Sequence, residues 1–241
     1  MRQSNAVRLA AVTLGVAVVA ALVVLVTTTF AQEKGPNEEP KHPTPGAKAQ
    51  AVGDLALAAQ LAAYGERNKD ALALMTAARI VKNTPTQELE GKPETIRGEG
   101  ATDDGKKDGG SALDAKNLLD AATRLSGEDA TLKTLAARIA EEAGRGAVGG
   151  PRTGRYRLWG RCKNTFAVTF RGGEIGRVTV RGDGDTDLDL YVYDENGNLI
   201  VADRRASDFC SVRFCPRWTG PFRIEVHNLG RISNIYRVWT N

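Results

Sequence analysis

Four aspartates recur at every second position in the C-terminal part of the chain: Asp183, Asp185, Asp187 and Asp189. In an extended strand, residues two apart lie on one side, about 6 to 7 Å from each other. Carboxylates so placed repel one another unless arginines or a hard cation offset their charge, and Ca²⁺ takes about six to eight oxygen ligands. Two alternatives stay open: a Ca²⁺ site at these residues, or carboxylates that are solvated or paired with arginines at a loop-to-strand junction. An EF-hand is excluded because, counted from Asp183, the sixth residue is Leu188 and the twelfth is Asp194.

The three cysteines, Cys162, Cys210 and Cys215, all lie in the same part of the chain. In an exported protein, a disulfide is more common than a metal site or a catalytic thiol. Three pairings exist. The alternation in Cys210-Ser211-Val212-Arg213-Phe214 places Cys210 on an apolar strand face, so we favour a bond between Cys162 and Cys210. Cys215 would then be left over, either buried and inert or paired between chains.

The residues that most enzymes use are missing from the sequence. Its two histidines, His42 and His227, lie in a proline-rich segment and at a strand end, so no zinc motif can be built from them. There is no Gly-x-Ser-x-Gly elbow and no phosphate-binding glycine loop. We therefore expect a protein that is not an enzyme, with no cofactor unless Ca²⁺ binds.

Arginines and aromatic residues are the remaining candidates for binding. Residues 151–241 carry 15 Lys and Arg side chains against 10 Asp and Glu, and 14 of the 15 are Arg. Arginine forks suit carboxylate, sulfate or phosphate, although solvent-facing strand positions also carry such charges. The aromatic residues could stack on sugar or peptide, or could form the core of a small sandwich. They are Tyr156, Trp159, Tyr191, Tyr193, Trp218, Tyr236 and Trp239.

The N-terminal residues have the pattern of an export signal. Arg2 and Arg8 precede an uncharged run whose apolar part ends at Val26, and Thr29 and Ala31 fit the −3 and −1 positions of a cleavage site. The apolar run is also just long enough to span a bilayer. We expect residues 1–31 to be a signal peptide or membrane anchor and the rest to be secreted, periplasmic or at the cell surface.

The middle of the chain predicts a helical unit. Residues 32–49 form a Pro-rich spacer, and residues 50–146 contain four Ala- and Leu-rich helices in two hairpins, separated by a flexible loop at 90–110. The hairpins form a weak internal repeat, since Asp70-Ala71 recurs as Asp129-Ala130. The unit has a loose similarity to helical-repeat scaffolds.

The C-terminal part predicts a β-sandwich. After a Gly-rich linker at 147–154, short runs alternate between apolar and polar residues across 155–241, as in Leu188, Leu190 and Val192. Asn196-Gly197 is a strong hairpin signal. The expected fold class is therefore multidomain α plus β, in which the four-helix unit precedes an antiparallel β-sandwich of jelly-roll type.

The run Gly182-Asp183-Gly184-Asp185-Thr186-Asp187-Leu188-Asp189-Leu190-Tyr191-Val192-Tyr193-Asp194 resembles the signature strand of the bacterial pre-peptidase C-terminal domain family. The segment Trp218-Thr219-Gly220-Pro221-Phe222-Arg223-Ile224-Glu225-Val226 and the closing Asn234-Ile235-Tyr236 resemble its later strands. The resemblance covers about 155–241. It implies a small sandwich appended to secreted hydrolases, for secretion, stability or attachment, with Ca²⁺ bound in some relatives. Here a helical unit precedes the sandwich in place of a protease, which separates this chain from the family's usual role.

Together these features predict an exported, non-catalytic binding or attachment module of the cell envelope or extracellular space. Its partner would be a protein, polysaccharide or matrix polymer, held with or without Ca²⁺, and not a nucleic acid. It would contact a membrane only through an uncleaved N-terminal segment. The alternative is a helical assembly or scaffold protein, homo-oligomeric through its helices, whose sandwich only aids secretion and stability.

Overall fold

The computed structural model describes residues 35–102, 113–142 and 149–241. The predicted signal or anchor at 1–31 lies outside these residues, as do the end of the predicted loop and the start of the predicted linker. No helix within the described ranges has the length and apolar character needed to cross a membrane.

The four predicted helices are confirmed. They are α1 (Ala47–Asn68), α2 (Ala71–Asn83), α3 (Ala115–Leu125) and α4 (Ala130–Glu141). The last three begin at aspartate N-caps, Asp70, Asp114 and Asp129, each of which accepts a hydrogen bond from a backbone N–H of the first turn. The two Asp-Ala pairs of the predicted repeat therefore begin the second helix of each hairpin.

The described residues contain ten strands, two between α2 and α3 and eight after α4. They are β1 (Gln87–Glu88), β2 (Glu94–Thr102), β3 (Arg152–Leu158), β4 (Gly160–Phe170), β5 (Gly176–Arg181), β6 (Leu188–Tyr193), β7 (Leu199–Asp203), β8 (Phe209–Phe214), β9 (Gly220–Asn228) and β10 (Asn234–Thr240). The first sheet has the order β1-β3-β10-β5-β8 and the second β2-β4-β9-β6-β7. All the pairs are antiparallel except β1 with β3.

The two sheets enclose one apolar core. Side chains from both sheets, including Phe166, Phe214, Ile224 and Tyr236, form a single buried cluster. The alternation in the sequence identified this core, because Leu188, Leu190 and Val192 all point into it. The α plus β class with two largely antiparallel sheets is therefore confirmed.

Strands β1 and β2 differ from the prediction, which placed residues 94–102 in a flexible loop. In the structure β2 pairs with β4 at the edge of the second sheet, and β1 pairs with β3 at the edge of the first. Residues 94–100 are exposed. An edge strand with no apolar face shows no alternation, so its sequence carries no strand pattern.

The helices pack on the outer side of the first sheet, where α1 contacts β5 and β10. Trp239 of β10 and Phe209 of β8 belong to the same buried cluster as Leu55 and Leu74 of the helices. Helices and sheets therefore form one compact unit. Strand β3 begins at Arg152, within the span predicted to be a Gly-rich linker.

Part of the predicted spacer also packs on the sandwich. Asn37 is fully buried, and its backbone N–H donates to Asp194 Oδ2 over 3.0 Å. Its side-chain amide donates to Glu195 and to the Trp218 carbonyl, while its oxygen accepts from the N–H groups of Arg217 and Trp218. A polar, Pro-rich segment is thus held by hydrogen bonds, which composition does not reveal.

Candidate functional site

The outer side of the second sheet carries a row of polar and aromatic side chains. Alternation turns Val192, Ile224 and their neighbours inward, so the intervening residues of β4, β6 and β9 face outward. Cross-strand register places Tyr191 opposite Glu225, Tyr193 opposite Arg223, and Lys163 opposite His227. We call these the outer-face cluster: Lys163, Tyr191, Tyr193, Arg223, Glu225 and His227.

Glu225 is the centre of this cluster. Its side chain is 6 % exposed and accepts from Lys163 Nζ at 3.1 Å, Arg223 Nε at 3.1 Å and His227 Nε2 at 2.8 Å. Burial alone would raise the pKa of Glu225, but hydrogen bonds from His227 and Lys163 outweigh it and hold this pKa below its usual range. One carboxylate therefore orients three donors across two strands.

The two tyrosines extend the cluster along β6. Their rings are stacked, 6.3 Å apart with 18° between the planes, and the Arg223 guanidinium lies 4.6 Å from the Tyr193 ring centroid. The Tyr191 hydroxyl donates to Asp189 Oδ2 over 2.8 Å. Burial and this hydrogen bond raise the pKa of Tyr191 to about 12, so its phenol stays protonated at neutral pH.

At one end of the outer face the surface opens into a cleft of about 300 Å³. We call it the arginine cleft, and the side chains that concern us there are Ile96, Arg161, Lys163, His227 and Leu229. A second opening of about 430 Å³ adjoins it at Arg161 and also contacts Glu99, Gly100 and Arg231. Two members of the outer-face cluster, Lys163 and His227, thus line the cleft as well.

The four aspartates lie at a loop-to-strand junction and do not line one side of a continuous strand. Strand β6 begins at Leu188, so Asp183, Asp185 and Asp187 lie in the preceding loop, where Gly184 has φ +93°. Asp183 Oδ2 accepts from the Ile235 N–H at 2.8 Å and Asp187 Oδ1 from the Ser207 N–H at 2.7 Å. Asp189 is buried and bonded to Tyr191.

Asp183, Asp187 and Asp189 therefore each direct one carboxylate oxygen at a separate backbone or hydroxyl donor. Among residues 35–102, 113–142 and 149–241, no three side chains of the His, Cys, Asp or Glu type are placed to hold a metal ion.

The predicted disulfide is wrong, since Cys162, Cys210 and Cys215 are all unpaired and buried. The Cys210 thiol lies against β6, where it donates to the Leu188 carbonyl over 2.9 Å. Cys162 lies on β4 of the second sheet, two strands from β6, whereas Cys210 lies on β8 of the first sheet. Burial raises the pKa of the Cys210 and Cys215 thiols, so both stay protonated.

The aromatic residues divide between core and surface. Tyr236 and Trp239 are fully buried and structural, whereas Tyr191 and Tyr193 remain partly exposed on the outer face. Alternation in β6 predicts this outward direction, because Leu188, Leu190 and Val192 point inward. The register that joins Lys163, Glu225 and His227, and the turn that carries Arg161, could not be predicted without knowing which strands pair.

Comparison with known proteins adds little to this geometry. No family model matches the sequence, and no curated protein matches it. Among solved structures, a de novo designed double-stranded β-helix determined by solution NMR is 17% identical, over 37% of this chain and 99% of the designed one, with a TM-score of 0.26. Superposition this poor carries no argument about fold or function.

Proposed function

We propose that this protein is an exported, non-catalytic attachment module whose outer-face cluster holds an extended polymer of the cell envelope or extracellular space. The observation that carries the proposal is the position of this cluster. The helices pack on the first sheet, which leaves a face of tyrosine, arginine and histidine partly exposed on the second.

The composition of the face supports binding. Tyr and Arg are the residues that most often dominate binding energy at protein surfaces. Glu225 and the Tyr193 ring already hold Arg223 in place, so this side chain loses little conformational freedom when a ligand arrives. A flat sheet face with fixed planar groups suits an extended chain better than a small molecule, which prefers a deep cavity.

The resemblance to the pre-peptidase C-terminal domain family supports the same proposal from the sequence. Its signature run corresponds to β6 and the loop before it. Members of that family are small sandwiches that aid secretion or attachment, and a jelly-roll arrangement of the two sheets is the finer fold that we propose here.

The alternative of a helical assembly protein has less support. An assembly scaffold needs an apolar helix face free for a second copy, but α1 packs its buried apolar face on its own first sheet and leaves only Leu57 and Tyr64 exposed as large apolar side chains. Trp239 and Phe209 of that sheet are buried among the helices. We therefore assign the attachment role to the second sheet and a supporting role to the helices.

Ca²⁺ binding at Asp183, Asp185, Asp187 and Asp189 stays a prediction from the sequence, and attachment through the outer face does not depend on it. Titration calorimetry of the full chain with millimolar CaCl₂ checks it. Heat of binding together with a higher melting temperature would support the site, whereas the lack of both would exclude it.

Sedimentation with the envelope fraction of the producing cells tests the proposed function. We expect Tyr193→Ser to lower the fraction of protein that sediments by about tenfold, since hot-spot tyrosines contribute 1 to 2 kcal/mol or more. Tyr64→Ser, at an exposed tyrosine of α1, is the matched control and should sediment like wild type. Equal sedimentation of the folded Tyr193 variant and wild type would contradict the proposal.

A further inference from the structure

We propose that the arginine cleft binds an anionic group, a sulfate, phosphate or carboxylate carried by the polymer, through Arg161. This inference rests on the proposed function, because the cleft is the end of the outer face and shares Lys163 and His227 with its cluster. It goes further in naming the chemical class of the ligand and the residue that recognises it.

Charge is the first observation behind this proposal. Four cationic residues, Arg97, Arg161, Lys163 and Arg231, and one acidic residue, Glu99, line the cleft and the opening beside it. Lys163 is paired with Glu225. Arg97 lies opposite the inward-facing Cys162, so its side chain points to the other side of β2. In the part of the chain that the structure describes, the guanidinium group of Arg161 has no hydrogen-bond or ion-pair partner, and it offers five N–H donors in the planar arrangement that oxyanions accept.

The backbone of Arg161 is the second observation. Its φ is +57°, in the left-handed region that favours Gly or Asn. The turn is held by close backbone contacts, since a Cβ on Gly98 would lie 2.2 Å from the Arg161 carbonyl oxygen and one on Gly160 would lie 2.3 Å from the Arg231 oxygen. Strained residues of this kind cluster at binding sites. At the junction of the two openings, this strained position is occupied by an arginine and not by a glycine.

The edge of the cleft is apolar, which indicates what carries the anionic group. Ile96 is 42% exposed and Leu229 is 53% exposed, on opposite elements of the lining. A ligand with a ring or hydrocarbon body would cover these side chains while its charged group reaches Arg161. A free inorganic ion would leave them in water.

A polymer fits this surface better than a membrane. The Leu229 N–H donates to the Asp187 carbonyl, so the acidic loop borders the cleft, and Asp183 and Asp185 of that loop are exposed. An anionic bilayer would cover the whole end of the sandwich and meet these carboxylates. A single chain that lies along the second sheet reaches Arg161 without contacting those carboxylates.

Titration calorimetry of the full chain with dextran sulfate and with neutral dextran tests the proposal. We expect dextran sulfate to bind and neutral dextran not to bind at the same concentration. Arg161→Asn removes the charge and suits the left-handed backbone, so it should weaken binding by about tenfold without lowering the melting temperature. Arg161→Lys keeps the charge but lacks the planar fork, so its affinity should lie between those of wild type and Arg161→Asn, and Arg171→Gln, an exposed arginine on another part of the sandwich, should bind like wild type.

Three results would overturn the inference. Wild-type affinity in the Arg161→Asn variant would remove the cleft from the site, and an equal loss in Arg171→Gln would show only diffuse charge attraction. Tighter binding to vesicles of acidic phospholipid, weakened by Leu229→Ser, would assign the cleft to membranes. The proposed function is tested by a separate measurement. It would be contradicted if the Tyr193→Ser variant sedimented with the envelope fraction like wild type, so the two failures are distinguishable.

Discussion

Glu225 fixes the geometry of the outer face at the scale of single residues. Replacing it with Gln would remove the counter-charge of Lys163 and Arg223, whose side chains are both partly exposed, and we expect a loss of about 1 to 2 kcal/mol in the free energy of unfolding at pH 7. Urea denaturation measures this loss. Glu174→Gln, in an exposed pair with Arg171, is the control and should change stability by less than about 0.5 kcal/mol.

The same residue predicts how stability depends on pH. Because the pKa of folded Glu225 lies below its usual range, folding keeps this group deprotonated, and its contribution is full above the unfolded pKa of about 4.3. It is lost as pH falls through the folded pKa. The urea midpoint of wild type should therefore fall between pH 5 and pH 3, and fall less in Glu225→Gln. A midpoint with the same pH dependence in both proteins would contradict the role of Glu225.

The three thiols give a second prediction at this scale. Since all of them are buried and unpaired, protein purified without reductant and then denatured should react with three equivalents of a thiol reagent. One equivalent would mean that a disulfide exists. That result would contradict the placement of Cys210 against β6, two strands from Cys162.

At the scale of elements, the segment around Asn37 is a separate strap on the sandwich. Asn37→Ala would remove four side-chain hydrogen bonds and leave the N–H groups of Arg217 and Trp218 without their acceptor. We expect a loss of about 2 to 3 kcal/mol, measured by urea denaturation. His42→Ala changes an exposed residue of the same segment and should have no measurable effect. Equal free energies of unfolding in the two variants would show that the segment around Asn37 does not stabilise the sandwich.

How far the elements could be predicted depended on what each segment buries. Strands β5, β6, β8 and β9 bury alternate residues such as Val178, Leu190 and Phe222, so period-two alternation identified them and their core face. Strand β2 and the Asn37 strap bury almost no apolar side chains and gave no pattern. The outward direction of Tyr191 and Tyr193 followed from alternation. The cluster around Glu225 did not, because it depends on the pairing of β4 with β9.

In the acidic run, by contrast, the sequence has a regular alternation, but Asp183, Asp185 and Asp187 lie in a loop. Such alternation is typical of one continuous strand, but glycines at 182 and 184 allow a loop in which backbone N–H groups satisfy the carboxylates. Local hydrogen bonding by aspartate competes with strand structure. A periodic pattern of polar residues is therefore a weaker guide to structure than one of apolar residues.

At the scale of the whole molecule, the helices and the sandwich should unfold together. All three tryptophans lie in the sandwich sequence, so their fluorescence reports on the sheets, while ellipticity at 222 nm reports mainly on the helices. Because Trp239 is buried among helical side chains, we expect both signals to give the same urea midpoint. Two separate midpoints would show that the helical unit is an independent domain.

This arrangement also determines which variants can test function. Removing residues 50–146 would take away β1 and β2 and uncover Trp239, so a loss of binding after that deletion would reflect damage to both sheets. Single substitutions on the outer face avoid this problem, since they leave the core and the helix contacts intact.

The most direct test of the attachment role is a binding isotherm on the sedimented envelope fraction. It compares the full chain with the double variant Tyr193→Ser, Arg223→Gln, once urea denaturation has shown that both are folded. We expect the double variant to bind at least about tenfold more weakly, and Tyr64→Ser, Arg171→Gln to bind like wild type. An isotherm of the outer-face variant that coincides with that of wild type would contradict the account.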